Sequence, residues 1–282
     1  MADSEQLTVA GAGGVRLSVE QAGSGTPIVL LHGLTATRRY VVMGSKALER
    51  SGYRTISYDA RGHGHSTPAL AADAYTYELL AEDLLAVLDR LEVEQAVLAG
   101  ASMGAQTALC FALRLPERVL ALGLVTPAFD PETHGEPSSY ESWDRLAQGL
   151  REGGVEGFVA AYDLDTIPER FRETVAAVLR QRLSSHDHPL AVADALQAIP
   201  RSRPFASWEE LRSIEIPTVV VASRDEADPT HPFAVGERYA ETIPGARLVV
   251  EDAGPPVRSP IAWQGGQLSR VLAELASSVP GG

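Results

Sequence analysis

The chain has 282 residues, 45% hydrophobic and 22% charged, an ordinary globular mix long enough to bury a large core without disulfides or a metal. Lys+Arg 24 against Asp+Glu 37 gives a net charge of −13, which argues against a nucleic-acid partner and against binding to an anionic membrane surface. The single cysteine, Cys110, can build neither an intramolecular disulfide nor a multi-thiolate metal site and is expected as a small buried hydrophobe.

In chain order, the opening Met1-Ala2-Asp3-Ser4-Glu5-Gln6 has no basic or apolar stretch of a signal peptide. No apolar run reaches the roughly 18 residues of a membrane helix, so a cytoplasmic location is expected. Two short strands are expected near Leu7–Ala10 and Arg16–Gln21. The apolar runs Ile28-Val29-Leu30-Leu31 and Thr55-Ile56-Ser57-Tyr58 read as strands buried on both faces. From Tyr77 to Leu91, Leu80, Leu84, Val87, Leu88 and Leu91 form one helical stripe, with Glu82, Asp83 and Asp89 outside it. Ala96–Ala99 is a further strand, Met103–Leu115 a helix, and Val119–Val125, Thr218–Ala222 and Arg247–Glu251 are later strands. Helices are expected near Phe233–Thr242 and Gln267–Ser278. Strands alternating with helices imply a mostly parallel, doubly wound α/β sheet covered on both faces.

One stretch interrupts the alternation. Residues 127–213 are helical in pattern (Tyr140–Glu152, Val155–Tyr162, Glu169–Leu183, Ala191–Ile199), punctuated by proline and glycine. The simplest arrangement is an inserted helical cap over a core made of residues 1–126 and 214–282. Tyr140, Trp143, Phe158, Tyr162 and Trp208 fit apolar stripes within that cap.

The chemistry-bearing motif is Gly100-Ala101-Ser102-Met103-Gly104, set between a buried strand and a helix. Such a turn lifts a serine hydroxyl above the carboxyl edge of the sheet, beside the free N–H groups of a helix N-terminus. Upstream, His32-Gly33-Leu34 follows the strand ending at Leu31, and Asp59-Ala60-Arg61-Gly62-His63-Gly64-His65-Ser66 follows the next. With these segments the sequence resembles the α/β-hydrolase fold family over about residues 15–125 and 214–278. That resemblance implies Ser102 as nucleophile, an oxyanion hole from the N–H groups of Leu34 and Met103, a structural His32, and Asp59 and Arg61 pairing locally to brace their loop.

The family pattern then calls for an acid after a late strand and a histidine after the last one. Asp228, a few residues before Pro232, is the favoured acid, with Asp225 as rival and Asp130 a distant third. The histidine is absent: after the strand Arg247–Glu251 the chain reads Asp252-Ala253-Gly254-Pro255, and all 7 histidines stand at or before His231. Substitute bases are His231 on the acid loop, His186 and His188 in the cap, and Asp252. His186 and His188 are also candidate substrate contacts, and Trp263 could line the pocket. Gly11-Ala12-Gly13-Gly14 lies between two strands, so it fails the dinucleotide fingerprint, and no cofactor or metal is expected. The expected partner is a small, partly apolar molecule bound near Ser102, Leu34 and Met103; the oligomeric state is not legible. The leading reading is an enzyme acting on an ester, lactone, thioester or related carbonyl. The alternative is a non-hydrolytic catalyst of lyase or cyclase type, or a ligand-binding protein that has lost its base.

Overall fold

The apolar runs of the sequence become the inner strands of a single sheet. The computed structural model describes residues 4–251 and 260–279. The strands are β1 (Glu5–Ala10), β2 (Arg16–Ala22), β3 (Pro27–Leu31), β4 (Arg54–Tyr58), β5 (Ala96–Ala101), β6 (Val119–Val125), β7 (Thr218–Val221) and β8 (Arg247–Val249). Their spatial order is β1-β2-β4-β3-β5-β6-β7-β8. β2 runs antiparallel to both β1 and β4, and every later pair is parallel.

Because side chains alternate along a strand, the parallel strands feed two cores. Ile28, Leu30, Val97, Ala99, Ala121, Val219 and Val221 meet Leu268, Leu272 and Leu275 of a C-terminal helix on one face. Val29, Leu31, Leu98, Leu122, Leu124 and Val220 face the larger core on the other. The helices are α1 (Ala47–Arg50), α2 (Tyr77–Arg90), α3 (Met103–Arg114), α4 (Pro137–Ala161), α5 (Glu169–Leu183), α6 (Pro189–Ala198), α7 (Phe233–Thr242) and α8 (Gly265–Ser277). Thr76 caps α2, its side chain accepting from Leu79 N–H at 3.3 Å. Cys110 is buried as expected, and burial, with Glu78 adding to it, pushes its thiol up to about 11.

Two expectations are corrected here. Asp83, placed on the solvent side of α2, is fully buried, and Asp59 and Arg61 do not pair with each other. Arg61 instead reaches Asp83 with two N–H···O bonds of 2.8 Å and also donates to the carbonyls of Ala74, Ala12 and Leu79. Asp83 also accepts from Ala12 N–H at 2.9 Å. Asp59 accepts from the Arg38 side chain and from the backbone N–H groups of Arg38 and His65. Periodicity alone missed this, since a buried charge is tolerated once its partner and hydrogen bonds are in place.

Between β6 and β7 the described chain is helical, as expected. Gly153-Gly154 does divide the first helical stretch: Gly154 adopts φ 60, ψ −145 inside α4. The second arm folds back on the first closely enough that a Cβ on Gly149 would lie 2.5 Å from the Gly157 carbonyl oxygen. This segment docks on loops at the carboxyl ends of the strands and on the start of α2. Asp187 N–H donates to Gly64 O at 2.9 Å, Tyr77 N–H donates to Ser202 Oγ at 2.9 Å, and Arg170 pairs with Glu226.

Candidate active site

Ser102 sits where β5 hands over to α3, with φ 52 and ψ −113, a positive-φ conformation costly for a residue with a Cβ, by about 1–3 kcal/mol. The flanking glycines make the turn possible. A Cβ on Gly100 would lie 2.2 Å from the Gly104 backbone, and one on Gly104 would lie 2.1 Å from the Leu31 carbonyl oxygen. The Ser102 hydroxyl does not cap α3; its N–H donates to Val125 O at 2.9 Å, which ties the elbow to the end of β6. Thr126, next along, has φ 42 and a buried hydroxyl without a hydrogen-bond partner among the described residues. Two neighbouring strands thus end in strained, non-glycine residues at the same edge. No sequence signal marked Thr126.

The His32-Gly33-Leu34 loop lies against this elbow: a Cβ on Gly33 would be 3.5 Å from Ser102 Cβ. Among the described residues, neither the Leu34 nor the Met103 backbone N–H has an acceptor. Three histidines face three consecutive carbonyls of the loop. His32 Nε2 accepts from Ala60 N–H at 2.9 Å, so its proton is on Nδ1, which donates to Gly33 O at 2.8 Å. In a trans peptide that carbonyl and the following Leu34 N–H point in opposite directions, so His32 fixes the direction of that N–H. His63 Nε2 lies 2.5 Å from Leu34 O, and its Nδ1 lies 2.9 Å from Arg61 O. His186 Nδ1 accepts from Gly64 N–H at 2.8 Å, which leaves Nε2–H to donate to Thr35 O at 3.2 Å.

Burial, reinforced by His63, pushes His32 down to about 3 and His186 down to about 4, and burial also lowers His63. The rings of His32 and His63, and of His63 and His186, lie 5.2 and 5.6 Å apart. Both ring nitrogens of His32 are thus engaged in holding this loop. His186, considered as a base or substrate contact, has both nitrogens occupied in tying the α5–α6 junction to this loop. His188, considered with it, is exposed at the start of α6 and does not cap that helix.

On the acid loop after β7 the two candidate carboxylates do different things. Asp225 accepts from Trp263 Nε1–H at 3.0 Å and from Ala227 N–H at 3.0 Å, so Trp263 and Asp225 brace each other. Asp228 faces His231: Nδ1 lies 2.8 Å from both carboxylate oxygens, and Thr230 Oγ donates to Asp228 at 2.7 Å. Burial raises the Asp228 carboxyl, but the His231 charge, the His231 and Thr230 hydrogen bonds and Arg182 outweigh it and hold it below its ordinary value. Nδ1 is thus the ring nitrogen directed at Asp228, which in the neutral ring would leave Nε2 as the acceptor. The third acid, Asp130, accepts from Trp208 Nε1–H at 3.2 Å. Asp252 and Pro255, the latter where the family histidine would stand, lie outside the described residues.

Arg182 of α5 also belongs to this region and had no signal in the sequence. Its guanidinium carbon lies 5.5 Å from the Tyr40 ring centroid and 5.4 Å from that of Trp263. A surface hollow between α4 and α5, lined by Arg145, Glu156, Tyr162 and Arg180 among others, includes neither Ser102 nor Leu34. Among the described residues no helix is long and apolar enough to cross a membrane.

A family model described as alpha/beta hydrolase fold matches residues 26–257. A 2-hydroxy-6-oxononadienedioate/2-hydroxy-6-oxononatrienedioate hydrolase of Paraburkholderia phymatum is 32% identical over 84% of this chain and 84% of its own length. A 3-oxoadipate enol-lactonase of Acinetobacter baylyi is 26% identical over 90% of this chain and 91% of its own. Among solved structures, a thermophilic esterase from Thermogutta terrifontis with malate bound superposes with a TM-score of 0.79 at 26% identity, covering 97% of this chain and 98% of that one.

Proposed function

The chain belongs to the α/β-hydrolase family and is an enzyme of hydrolase type, and on that premise we propose that it cleaves a small ester, lactone or related carbonyl compound with Ser102 as nucleophile and His231 as base. The observation that carries this reading is the Asp228–His231 pair. It is a carboxylate–imidazole pair within one loop, of the kind the family pattern draws from two, and among the described residues no hydrogen bond joins it to the Ser102 hydroxyl.

In this mechanism His231 Nε2 takes the proton as Ser102 Oγ attacks the carbonyl carbon. The charge that develops on the carbonyl oxygen is met by the Leu34 and Met103 N–H groups, at the positive end of the α3 dipole. The protonated His231, held by Asp228, then gives its proton to the departing oxygen, leaving an acyl group on Ser102. A water molecule attacks that acyl group, giving its proton to His231, and the serine is regenerated as the acid product leaves. Helices α4–α6 act as the cap that shapes the pocket, and residues 127–213 are its span. The relatives' names cover a lactonase, an esterase and a dienedioate hydrolase; in this reading the shared element is attack at a carbonyl carbon.

Rapid mixing with 4-nitrophenyl acetate tests the reading. The expected record is a burst of about one equivalent of 4-nitrophenol per chain followed by slower turnover, the signature of an acyl-enzyme. Release no faster than in buffer, with a simple lactone also untouched, would favour the non-hydrolytic alternative.

A further inference from the structure

In a chain of net charge −13, the arginines of the helical segment mostly find carboxylates. Arg151 pairs with Asp194 at 2.6 Å, and Arg172, Arg180 and Arg201 pair with Asp165, Glu156 and Asp144 at 2.8 Å each. Arg182, two residues beyond Arg180 on α5, differs from them. Its Nε is buried and has no hydrogen-bond partner among the described residues. The charged and titratable groups around it are Asp228, Tyr40 and Tyr162, and none of them accepts a hydrogen bond from it.

The position of this cation is informative. Tyr40 lies beyond the Leu34 loop after β3, Asp228 on the acid loop after β7, and Trp263 just before α8. The guanidinium therefore stands at the seam between the helical segment and the carboxyl edge of the sheet, held near the two aromatic rings. Contacts of that kind are weakly favourable. An orphaned buried donor is costly, the more so when it is charged. A role limited to stapling α5 to Tyr40 and Trp263 leaves that cost unanswered. Asp228 does not answer it either: its carboxylate faces His231 and Thr230, and no hydrogen bond joins it to Arg182 among the described residues.

We propose that Arg182 anchors a carboxylate carried by the substrate, so that the compounds cleaved are acidic ones: half-esters of dicarboxylic acids, or lactones bearing a free carboxylate. A guanidinium edge that offers Nε–H and an Nη–H side by side matches the two oxygens of a carboxylate. This inference rests on the hydrolase reading for the word substrate, but the anion site itself does not.

The test separates the two. Calorimetry on the Ser102→Ala chain, which prevents turnover, compares monomethyl glutarate with dimethyl glutarate. The half-ester is expected to bind at least about tenfold more tightly, in line with a charge-assisted hydrogen-bonded pair. The added change Arg182→Gln is expected to bring the ratio to near one. In the wild-type enzyme, mono-4-nitrophenyl glutarate is expected to exceed 4-nitrophenyl butyrate in kcat/KM, and Arg182→Gln to erase that preference mainly through KM. Equal binding of half-ester and diester, or a preference that survives Arg182→Gln, would overturn the proposal. Ester cleavage without an acid preference removes Arg182 and leaves the hydrolase; half-ester binding without cleavage of any ester does the reverse. Should Arg182→Gln fail to fold, the binding ratio in Ser102→Ala and its decline with added salt decide the matter, and a ratio near one overturns the proposal.

Discussion

Replacing His231 with alanine is expected to slow ester turnover by about 10⁶-fold, the scale seen when a serine hydrolase loses its base. A serine hydroxyl is a weak nucleophile until a base takes its proton, so the strained elbow cannot do the work by itself. Asp228→Asn should cost less, about 10⁴-fold, because the imidazole would remain while its tautomer and orientation are no longer held. Asp225→Asn is the contrast: Asp225 is committed to Trp263 and to Ala227 N–H, so its loss should act through the stability of the loop. Steady-state kinetics with added imidazole check the assignment. Imidazole should partly restore His231→Ala and leave Ser102→Ala dead. A His231→Ala enzyme with turnover near wild type would remove His231 from the mechanism.

Acid should weaken the fold through the same histidines that hold the Leu34 loop. His32 and His186 are pushed down to about 3 and about 4, chiefly by burial and then by His63. Unfolded histidine titrates near its ordinary value of about 6.5, so between roughly pH 6.5 and 4 the unfolded chain binds more protons than the folded one. Stability therefore rises with pH through that window. The contribution is complete above about 6.5 and is lost as pH falls toward the folded values. For His186 alone the loss is on the order of 3 kcal/mol. Urea unfolding at pH 7, 5.5 and 4.5 would show it. His186→Gln keeps a group that can accept from Gly64 N–H and donate to Thr35 O but does not titrate, so its stability should fall less steeply with acid. Parallel declines for the two proteins would contradict this account.

The fold was legible because its signals are redundant. Short apolar runs, the stripe of Leu80, Leu84 and Leu88, and the glycine-flanked Ser102 agree on strand, helix and elbow, and each of these formed close to where it was expected. The buried charge inside a polar-looking helix face was not legible. Asp83 and Glu82 look alike in sequence, and only the arrival of Arg61 from another loop tells them apart. The same holds at the site. His231 was a candidate from its place on the acid loop, but its bond to Asp228 depends on the turn around Pro229 and Thr230. His186 looked like a free cap histidine, yet its partners, Gly64 and Thr35, are distant in sequence. Thr126 and Arg182 carried no local pattern, since strain at a strand end and an unpaired guanidinium are properties of the assembled molecule.

Activation of the Ser102 hydroxyl by His231 is the step on which the proposed mechanism turns. Its most direct measurement is intact-protein mass spectrometry after incubation with a fluorophosphonate, followed by peptide mapping. One phosphonyl adduct is expected, on Ser102, formed rapidly by the wild-type chain, slowed at least about 10³-fold in His231→Ala and absent in Ser102→Ala. No adduct on Ser102 from mildly acidic to mildly alkaline pH, or labelling at the wild-type rate in His231→Ala, would contradict it.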